Sequence, residues 1–334
     1  MRPDLSVIVV THGRPDLALA TLRSAHAAAA TLEVEWLVVD SGSTDETPDL
    51  IEREFPHVEL VRDQNIGFAA ANNRVLTRAR GRYVLLLNPD VEIASGTFAE
   101  LIELLQARPR VGIASVIQQD SDAELMLSMR SYPSAARAFG EALALPWRGV
   151  REEEERRSRY DEECSVDWLV GAFLLARAEA VRDIGGLDER FFLYSEEIDW
   201  CYRARAAGWD VCHLPQMTIT HHTTASTKPD LVAQLSYAKL LFARKHYTRP
   251  QVAAIAAALA TRHLLRILML SVKSIGQPEL RQRLRAERHA LKVIAGLAPL
   301  PFRRDPALEH SDAGSSDAGS SDAGSPNVGE SLAA

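Results

Sequence analysis

Apolar runs and helical stretches alternate regularly over the first hundred residues. LSVIVV (5–10), EWLVVD (35–40), VELVRD (58–63) and YVLLLN (83–88) are strand-length runs rich in apolar side chains, several of them β-branched. Between them, 14–30, 44–55 and 67–80 have helical character. Pro15-Asp16 stands near the start of the first, and Ser43 or Thr44 is expected to cap the second, whose first turn is acidic. A further amphipathic helix (95–109) and a strand (111–117) follow. Strands that are apolar throughout, separated by helices, predict an α/β fold with a mostly parallel sheet covered on both faces. In such sheets ligands sit beyond the C-terminal ends of the strands. The residues expected there are Thr11-His12-Gly13, Asp40-Ser41-Gly42, Asn65 with Gly67, and Asn88 with Asp90, all small or polar.

From about 118 to 164 the pattern is less regular and includes the charge run REEEERRSRYDEE (151–163), which reads as a solvated helix face or a loop. Order returns over 166–222, with a strand, a helix stopped by Gly185-Gly186, an acidic loop leading into the helix EIDWCYRARAAG, and a last strand ending at His221-His222. Beyond Thr227 the chain is helical and basic. Within VAAIAAALATRHLLRILMLSVKSI (252–275), Arg262, Arg266 and Lys273 fall near one face. Such a helix suits an anionic membrane surface, or packs on its own domain with a solvated basic face. SDAGS then repeats three times between 311 and 325, a composition expected of a disordered tether.

Composition narrows the class. A chain of 334 residues, 46% hydrophobic and 25% charged, can bury one large core or two smaller ones. Cys164, Cys201 and Cys212 have no C-x-x-C spacing, so neither a zinc site nor a disulfide framework is expected, and a reducing cytoplasm fits. The first apolar run is only about six residues long with no small-residue cleavage site, so it reads as a strand and not a signal peptide. No run of about 18 uninterrupted apolar residues occurs, which argues against a spanning helix. The net charge of −7 conceals an asymmetry: 231–304 carries fourteen Lys/Arg against Glu279 and Glu287, a local +12 that leaves about −19 for the rest. Such a split points to an anionic partner for that segment.

Three clusters could carry chemistry. Asn88-Pro89-Asp90 closes the most apolar strand; a carboxylate there can hold a hard divalent cation that neutralises a diphosphate, or the triplet can simply be a turn. Glu196, Glu197 and Asp199 put three acids within four residues, a crowding that raises at least one pKa and suits a general base. The same residues also fit a helix start capped by Ser195. His221 and His222 are strand neighbours, so only one of them can face a pocket.

Taken in order, VIVVTHGRPD, VVDSGSTDET, NIGFAAANN, GRYVLLLNPDVEI, DWLVGAFLLARAEAVRDIGGLDERFFLYSEEIDWCYRARAAGW and HHTTAST closely resemble glycosyltransferase family 2, in its bacterial rhamnosyltransferase-like branch, over roughly residues 4–250. The resemblance implies a GT-A fold in residues 1–227, with a nucleotide-sugar half (about 1–117) and an acceptor half (about 118–227), followed by a basic helical segment (228–304) and a tail (305–334). It implies an inverting transfer of a sugar from a nucleotide diphosphate to a hydroxyl. Thr11, Asp40, Asn65, Gly67, Asn88 and Asp90 would line the nucleotide-sugar site, with Asp40 reading the pyrimidine. Asp90 and His221 would hold Mg2+ or Mn2+, and Glu197 would be the base. Trp168, Gly171, Glu196 and Asp199 would lie on the acceptor side. The branch implies dTDP-L-rhamnose as donor and a lipid-linked glycan of cell-surface polysaccharide synthesis as acceptor. The setting would be the inner face of the cell membrane, touched from the cytoplasm through 231–304, with no nucleic acid as partner. Thr11-His12-Gly13 departs from the family's more usual Thr-Tyr-Asn, and Asn88 stands where many members have a second aspartate. A transferase using another nucleotide sugar and a catalytically degenerate scaffold are the alternatives. A nucleotidyltransferase would need a Gly-rich basic phosphate loop, which THGRPD does not supply.

Overall fold

The computed structural model describes residues 2–143, 159–222, 229–273, 277–300 and 302. Most of the charge run (151–158), the link 223–228 with Ala225-Ser226, and the SDAGS tail lie outside the described residues. The N-terminal half runs β1 (Leu5–Thr11), α1 (Pro15–Ala28), β2 (Val34–Ser41), α2 (Thr47–Glu54), β3 (Glu59–Asp63), α3 (Phe68–Leu76), β4 (Tyr83–Leu87), β5 (Val91–Ser95), α4 (Phe98–Gln106) and β6 (Val111–Gln119). Then come β7 (Leu125–Met126), β8 (Met129–Arg130), α5 (Ala135–Ala142), β9 (Cys164–Ser165), β10 (Trp168–Leu169), β11 (Phe173–Arg177), α6 (Ala178–Ile184), α7 (Glu196–Ala206) and β12 (Asp210–His221). Three helices close the described chain: α8 (Pro229–His246), α9 (Arg249–Lys273) and α10 (Pro278–Ile294).

The main sheet has the order β3-β2-β1-β4-β11-β6-β12-β5. β1 pairs in parallel with β2 and β4, β2 with β3, and β12 with β6; β11 and β5 run antiparallel to their neighbours. All seven residues of β1 and all five of β4 are buried, because helices cover both faces. Leu5, Val7, Val9, Leu85 and Leu87 join Leu22 of α1 and Phe98 of α4 in the principal core. The mostly parallel α/β sheet expected from the apolar runs is therefore present.

Two local expectations are corrected. The helix expected at 95–109 begins at Phe98, because Thr97 builds a capping box: its hydroxyl accepts from Glu100 N–H at 3.3 Å and Glu100 accepts from Thr97 N–H at 2.9 Å. The residues before it form β5, an edge strand whose free N–H groups would otherwise be exposed. Thr21 and Ser24 of α1 accept those of Val91 and Ile93, at 3.1 Å each. Neither Ser43 nor Thr44 caps α2. Asp45 accepts from Thr47 N–H at 3.1 Å, while Pro48 fixes the first turn.

The chain forms one compact unit through Arg303, so α8–α10 pack on the sheet domain; the second unit, Arg304–Ala334, lies outside the described residues. One junction is a buried ion cluster. Asp199 of α7 is fully buried and receives Lys245 Nζ at 2.6 Å, His246 Nε2 at 2.7 Å and Arg203 Nε at 2.8 Å. Lys245 also reaches Asp188 at 2.6 Å. Arg203, four residues on from Asp199, donates in addition to the carbonyl oxygens of Ile184 and Gly186.

The 25-residue α9 is long and apolar enough to cross a bilayer by length and composition. Uninterrupted run length hid this, because Thr261-Arg262-His263 and Arg266 break the apolar stretch. Arg262 and Arg266, expected on an outward basic face, instead pair with Glu141 of α5 at 3.1 Å and Glu287 of α10 at 3.0 Å.

Burial alone would push the Asp199 carboxyl up, but hydrogen bonds from His246, Lys245 and Arg203 hold it below the usual carboxylate range. Asp188, held by Arg190 and Lys245 against a similar burial cost, is likewise lowered. A depressed folded-state pKa gives stability that is present above the unfolded value, about 3.9, and lost as pH falls through the folded one. Asp199→Ala should cost about 3 kcal/mol in urea unfolding at pH 7, because it strands buried cations. It should also flatten the loss of stability below about pH 4; an unchanged midpoint at pH 7 would refute the cluster's structural role.

Candidate active site

The loops after β1 and β2 are stitched together. His12 Nδ1 donates to Ser41 O at 2.7 Å, Gly13 N–H to Ser43 Oγ at 2.7 Å, and Arg14 N–H to Asp45 at 3.2 Å. Gly13 and Arg14 both take positive φ, 72° and 60°, which turns the chain sharply into α1. Asp40 closes β2, buried, and spends its carboxylate on this scaffold: it accepts from Thr11 Oγ1 at 3.1 Å, from Ser43 N–H at 3.1 Å and from the Ser43 hydroxyl. Thr11 and Asp40 thus lie beneath the loops, while His12, Gly13, Arg14 and Ser41 face the cavity.

That cavity, about 430 Å3, opens beyond the strand ends. Asn65, Gly67, Asn88 and Asp90 line it as the sequence suggested, joined by Phe192, Leu231 and Phe302, which no local sequence signal marked. Phe192 and Phe302 stack, 6.1 Å apart and 13° from parallel. Gly67 is required where it stands. Its φ is 89°, and a Cβ there would lie 2.5 Å from Phe192 O, the atom that accepts from Phe68 N–H at 2.7 Å.

Asn88-Pro89-Asp90 forms the turn from β4 into β5. Asp90 Oδ1 is buried and makes no hydrogen bond, yet His221 Nε2 lies 3.2 Å from it; His221 Nδ1 is buried without a partner as well. His222 points the other way, to Glu92 at 2.8 Å and Ser121 at 2.9 Å, as strand alternation requires. An uncommitted carboxylate oxygen beside an uncommitted imidazole fits a divalent cation such as Mg2+ or Mn2+ that takes further ligands from diphosphate oxygens and water. Among the described residues no three or more His, Cys, Asp or Glu side chains are placed so that together they could hold a metal ion, so protein ligands would be few.

The acidic cluster lies across the same sheet ends. Asn88 N–H donates to Ala172 O at 3.0 Å, and the neighbouring Gly171 lies against Glu197, where an added Cβ would make an ordinary contact with the glutamate Cβ at 3.4 Å. This chain of contacts links the Asp90 turn to Glu197. Tyr194 and Ser195 precede α7 in the left-handed region, φ 71° and 69°, a strained conformation for side-chain-bearing residues. Ser195 occupies the cap position without capping; its hydroxyl is buried and makes no hydrogen bond. Glu196 is buried at 5% exposure, and burial first, then the charge of Glu197, push its carboxyl well above the usual range. Glu196 therefore holds its proton to higher pH than an ordinary carboxylate. Asp199 turns to the ion cluster, and Trp168 anchors β10 by donating to Ser131 O at 2.9 Å.

A family model described as glycosyl transferase family 2 matches residues 6–200. The chain belongs to glycosyltransferase family 2. The N-acetylglucosaminyl-diphospho-decaprenol L-rhamnosyltransferase of Mycobacterium tuberculosis is 30% identical to this glycosyltransferase over 247 residues, 70% of this chain and 80% of the relative. Rhamnosyltransferase WbbL of Escherichia coli K12 is 21% identical over 224 residues, 65% and 82% of the two chains. Among solved structures, mannosyltransferase PcManGT from Pyrobaculum calidifontis, in complex with GDP-Man and Mn2+, aligns with a TM-score of 0.54 at 16% identity, covering 89% of this chain and 87% of that one. The fold is accordingly of the GT-A type, with a C-terminal helical region.

Gly67→Ala should lower the melting temperature of this glycosyltransferase by an amount equivalent to about 1–3 kcal/mol, from positive-φ strain and the collision with Phe192. It should also weaken binding of nucleoside diphosphate in the cavity, read by calorimetry. Wild-type stability and binding in that variant would contradict the close approach.

Proposed function

We propose that the enzyme is an inverting rhamnosyltransferase that moves L-rhamnose from dTDP-rhamnose to a hydroxyl of a lipid-linked glycan in cell-surface polysaccharide synthesis. The observation that carries the reading is that two acidic sites of different character meet the same strand ends: Asp90 beside His221, and Glu197 beside the buried Glu196, linked through Gly171, Ala172 and Asn88. Similarity to relatives named as rhamnosyltransferases, one acting on a diphospho-decaprenol-linked sugar, supports the choice of donor and acceptor.

In this reading the nucleoside diphosphate lies along His12, Ser41, Asn65 and Gly67, over the floor that Thr11 and Asp40 hold. Asp40 reads the pyrimidine through the loop it organises. Asp90 and His221 hold Mg2+ or Mn2+, which when bound supplies charge neutralisation to the departing diphosphate. Glu197 accepts the proton of the acceptor hydroxyl as that oxygen bonds the anomeric carbon from the face opposite the leaving group, and the carbon–oxygen bond to the diphosphate breaks with inversion. Trp168, Gly171 and Glu196 shape the acceptor side, and Asp199 fixes the helix that carries the base. A lipid-linked acceptor places the enzyme at the cytoplasmic face of the membrane, touched through the basic helical segment.

The test is transfer by purified enzyme across a panel of nucleotide sugars, with a polyprenyl-diphosphate-linked N-acetylglucosamine acceptor and Mg2+ or Mn2+. Consumption of dTDP-rhamnose with release of dTDP is expected. Glu197→Gln should slow transfer by about 10^3-fold while keeping the thermal shift given by donor and metal, and Asp90→Asn should lose the metal-dependent part of that shift. Wild-type turnover by Glu197→Gln would remove the base; turnover of another nucleotide sugar alone would replace the donor.

A further inference from the structure

A second concave site lies among the C-terminal helices, lined by none of the residues that line the cavity at the strand ends. It is a groove of about 500 Å3 whose walls include Arg266, Met269, Leu270 and Lys273 of α9 and Arg283 and Glu287 of α10. The one acid among its described lining residues is already spent. Glu287 is buried, with one oxygen 3.0 Å from Arg266 and the other 2.5 Å from His263, whose second nitrogen lies 3.0 Å from Ser236 Oγ. Lys273 and Arg283, both exposed, have no ion-pair or hydrogen-bond partner among the described residues. The groove is thus cationic at its rim and apolar along Met269 and Leu270.

Beside it runs an exposed apolar stripe. Leu264, Leu268 and Val272 recur every four residues on α9 at 54%, 65% and 70% exposure, and Met269, 55% exposed, joins the stripe to the groove. A row of large apolar side chains in water is costly unless something covers it. Here the neighbouring charge says what does. Two cations without a partner among the described residues, next to an apolar stripe on a segment of net charge +12, complement an anionic headgroup attached to hydrocarbon.

We propose that this groove is a phospholipid-headgroup site, in which Lys273 and Arg283 hold the phosphate of an anionic bilayer lipid while Leu264, Leu268, Met269 and Val272 enter the acyl boundary. The proposal rests on the membrane-surface reading above and gives it a specific address. It also assigns Arg262 and Arg266 a different task, joining the helices together, so the lipid contact falls to other residues than the helical pattern alone marked.

The experiment is flotation of the full-length enzyme with vesicles of phosphatidylcholine alone or with phosphatidylglycerol added. Wild type should favour the anionic vesicles. Lys273→Glu/Arg283→Glu should weaken that binding by about tenfold or more, with donor hydrolysis in detergent unchanged. Arg281→Glu/Arg285→Glu makes the same charge change on exposed positions from the other side of α10 and should weaken it far less. Equal losses from both pairs would reduce the effect to bulk charge and overturn the site, as would displacement by an excess of inorganic phosphate, which marks a soluble ligand. Binding to both vesicle types alike would leave the membrane reading standing and remove the groove from it. Failure to bind either would overturn both.

Discussion

The catalytic end of the molecule depends on how one carboxylate, Asp199, is held. It sits in the first turn of α7, fully buried, between an arginine of its own helix and a lysine and histidine from the end of α8. Burying a carboxylate without partners costs several kcal/mol, so the three donors and the acid stand or fall together. Their union fixes the axial position of α7 and binds the C-terminal helices to the sheet domain. The strained turn at Tyr194-Ser195 can persist because both of its sides are over-determined: Phe192 accepts from Phe68 N–H ahead of it, and the Asp199 cluster holds the helix behind it.

From that anchor the three neighbouring acids acquire three different surroundings. Asp199 is ionised and paired. Glu196 is buried beside another negative charge and keeps its proton. Glu197 packs on Gly171, next to the strand end that also carries the Asn88-Pro89-Asp90 turn. Like charges placed this close cannot all be ionised in a low-dielectric setting, and the fold resolves the conflict by unequal burial and unequal pairing. In the turn after β4 a single carboxylate, Asp90, lines the cavity with one oxygen 3.2 Å from His221 and without a hydrogen bond. Asn88 is neutral, so the turn brings one carboxylate and not two to that pair, which in the proposed reading leaves a bound cation to share with a diphosphate.

Much of this was legible from sequence wherever the signal is local. The apolar runs located β1 to β4, and the small polar residues at their ends located the cavity, because in a parallel sheet the two go together. Strand alternation sent His221 and His222 to opposite faces, and only the family resemblance chose between them. What escaped depends on distant partners. β5 pairs with β12, bringing Glu92 to His222 across 130 residues, and its helix-like continuation into 98–106 masked it. The Asp199 cluster needs His246, 47 residues on; only Arg203, at helical spacing i+4, could have hinted at it. Asp40 ends the expected strand, but no pattern in Asp-Ser-Gly-Ser says that its carboxylate is consumed by Ser43 and Thr11. Nor does Ser195, with the right residue type at the right place, announce a backbone that prevents it from capping.

The division of labour between Glu196 and Glu197 is tested most directly by the pH dependence of kcat/KM for sugar transfer in the wild type and in Glu196→Gln. If Glu196 holds its proton throughout the working range, its amide replacement removes no titrating base: the variant should keep an acidic limb with the same number of ionisations and a rate within about tenfold of wild type. Loss of the acidic limb in Glu196→Gln, with a rate reduced to that of Glu197→Gln, would show that Glu196 is the base and would contradict the account.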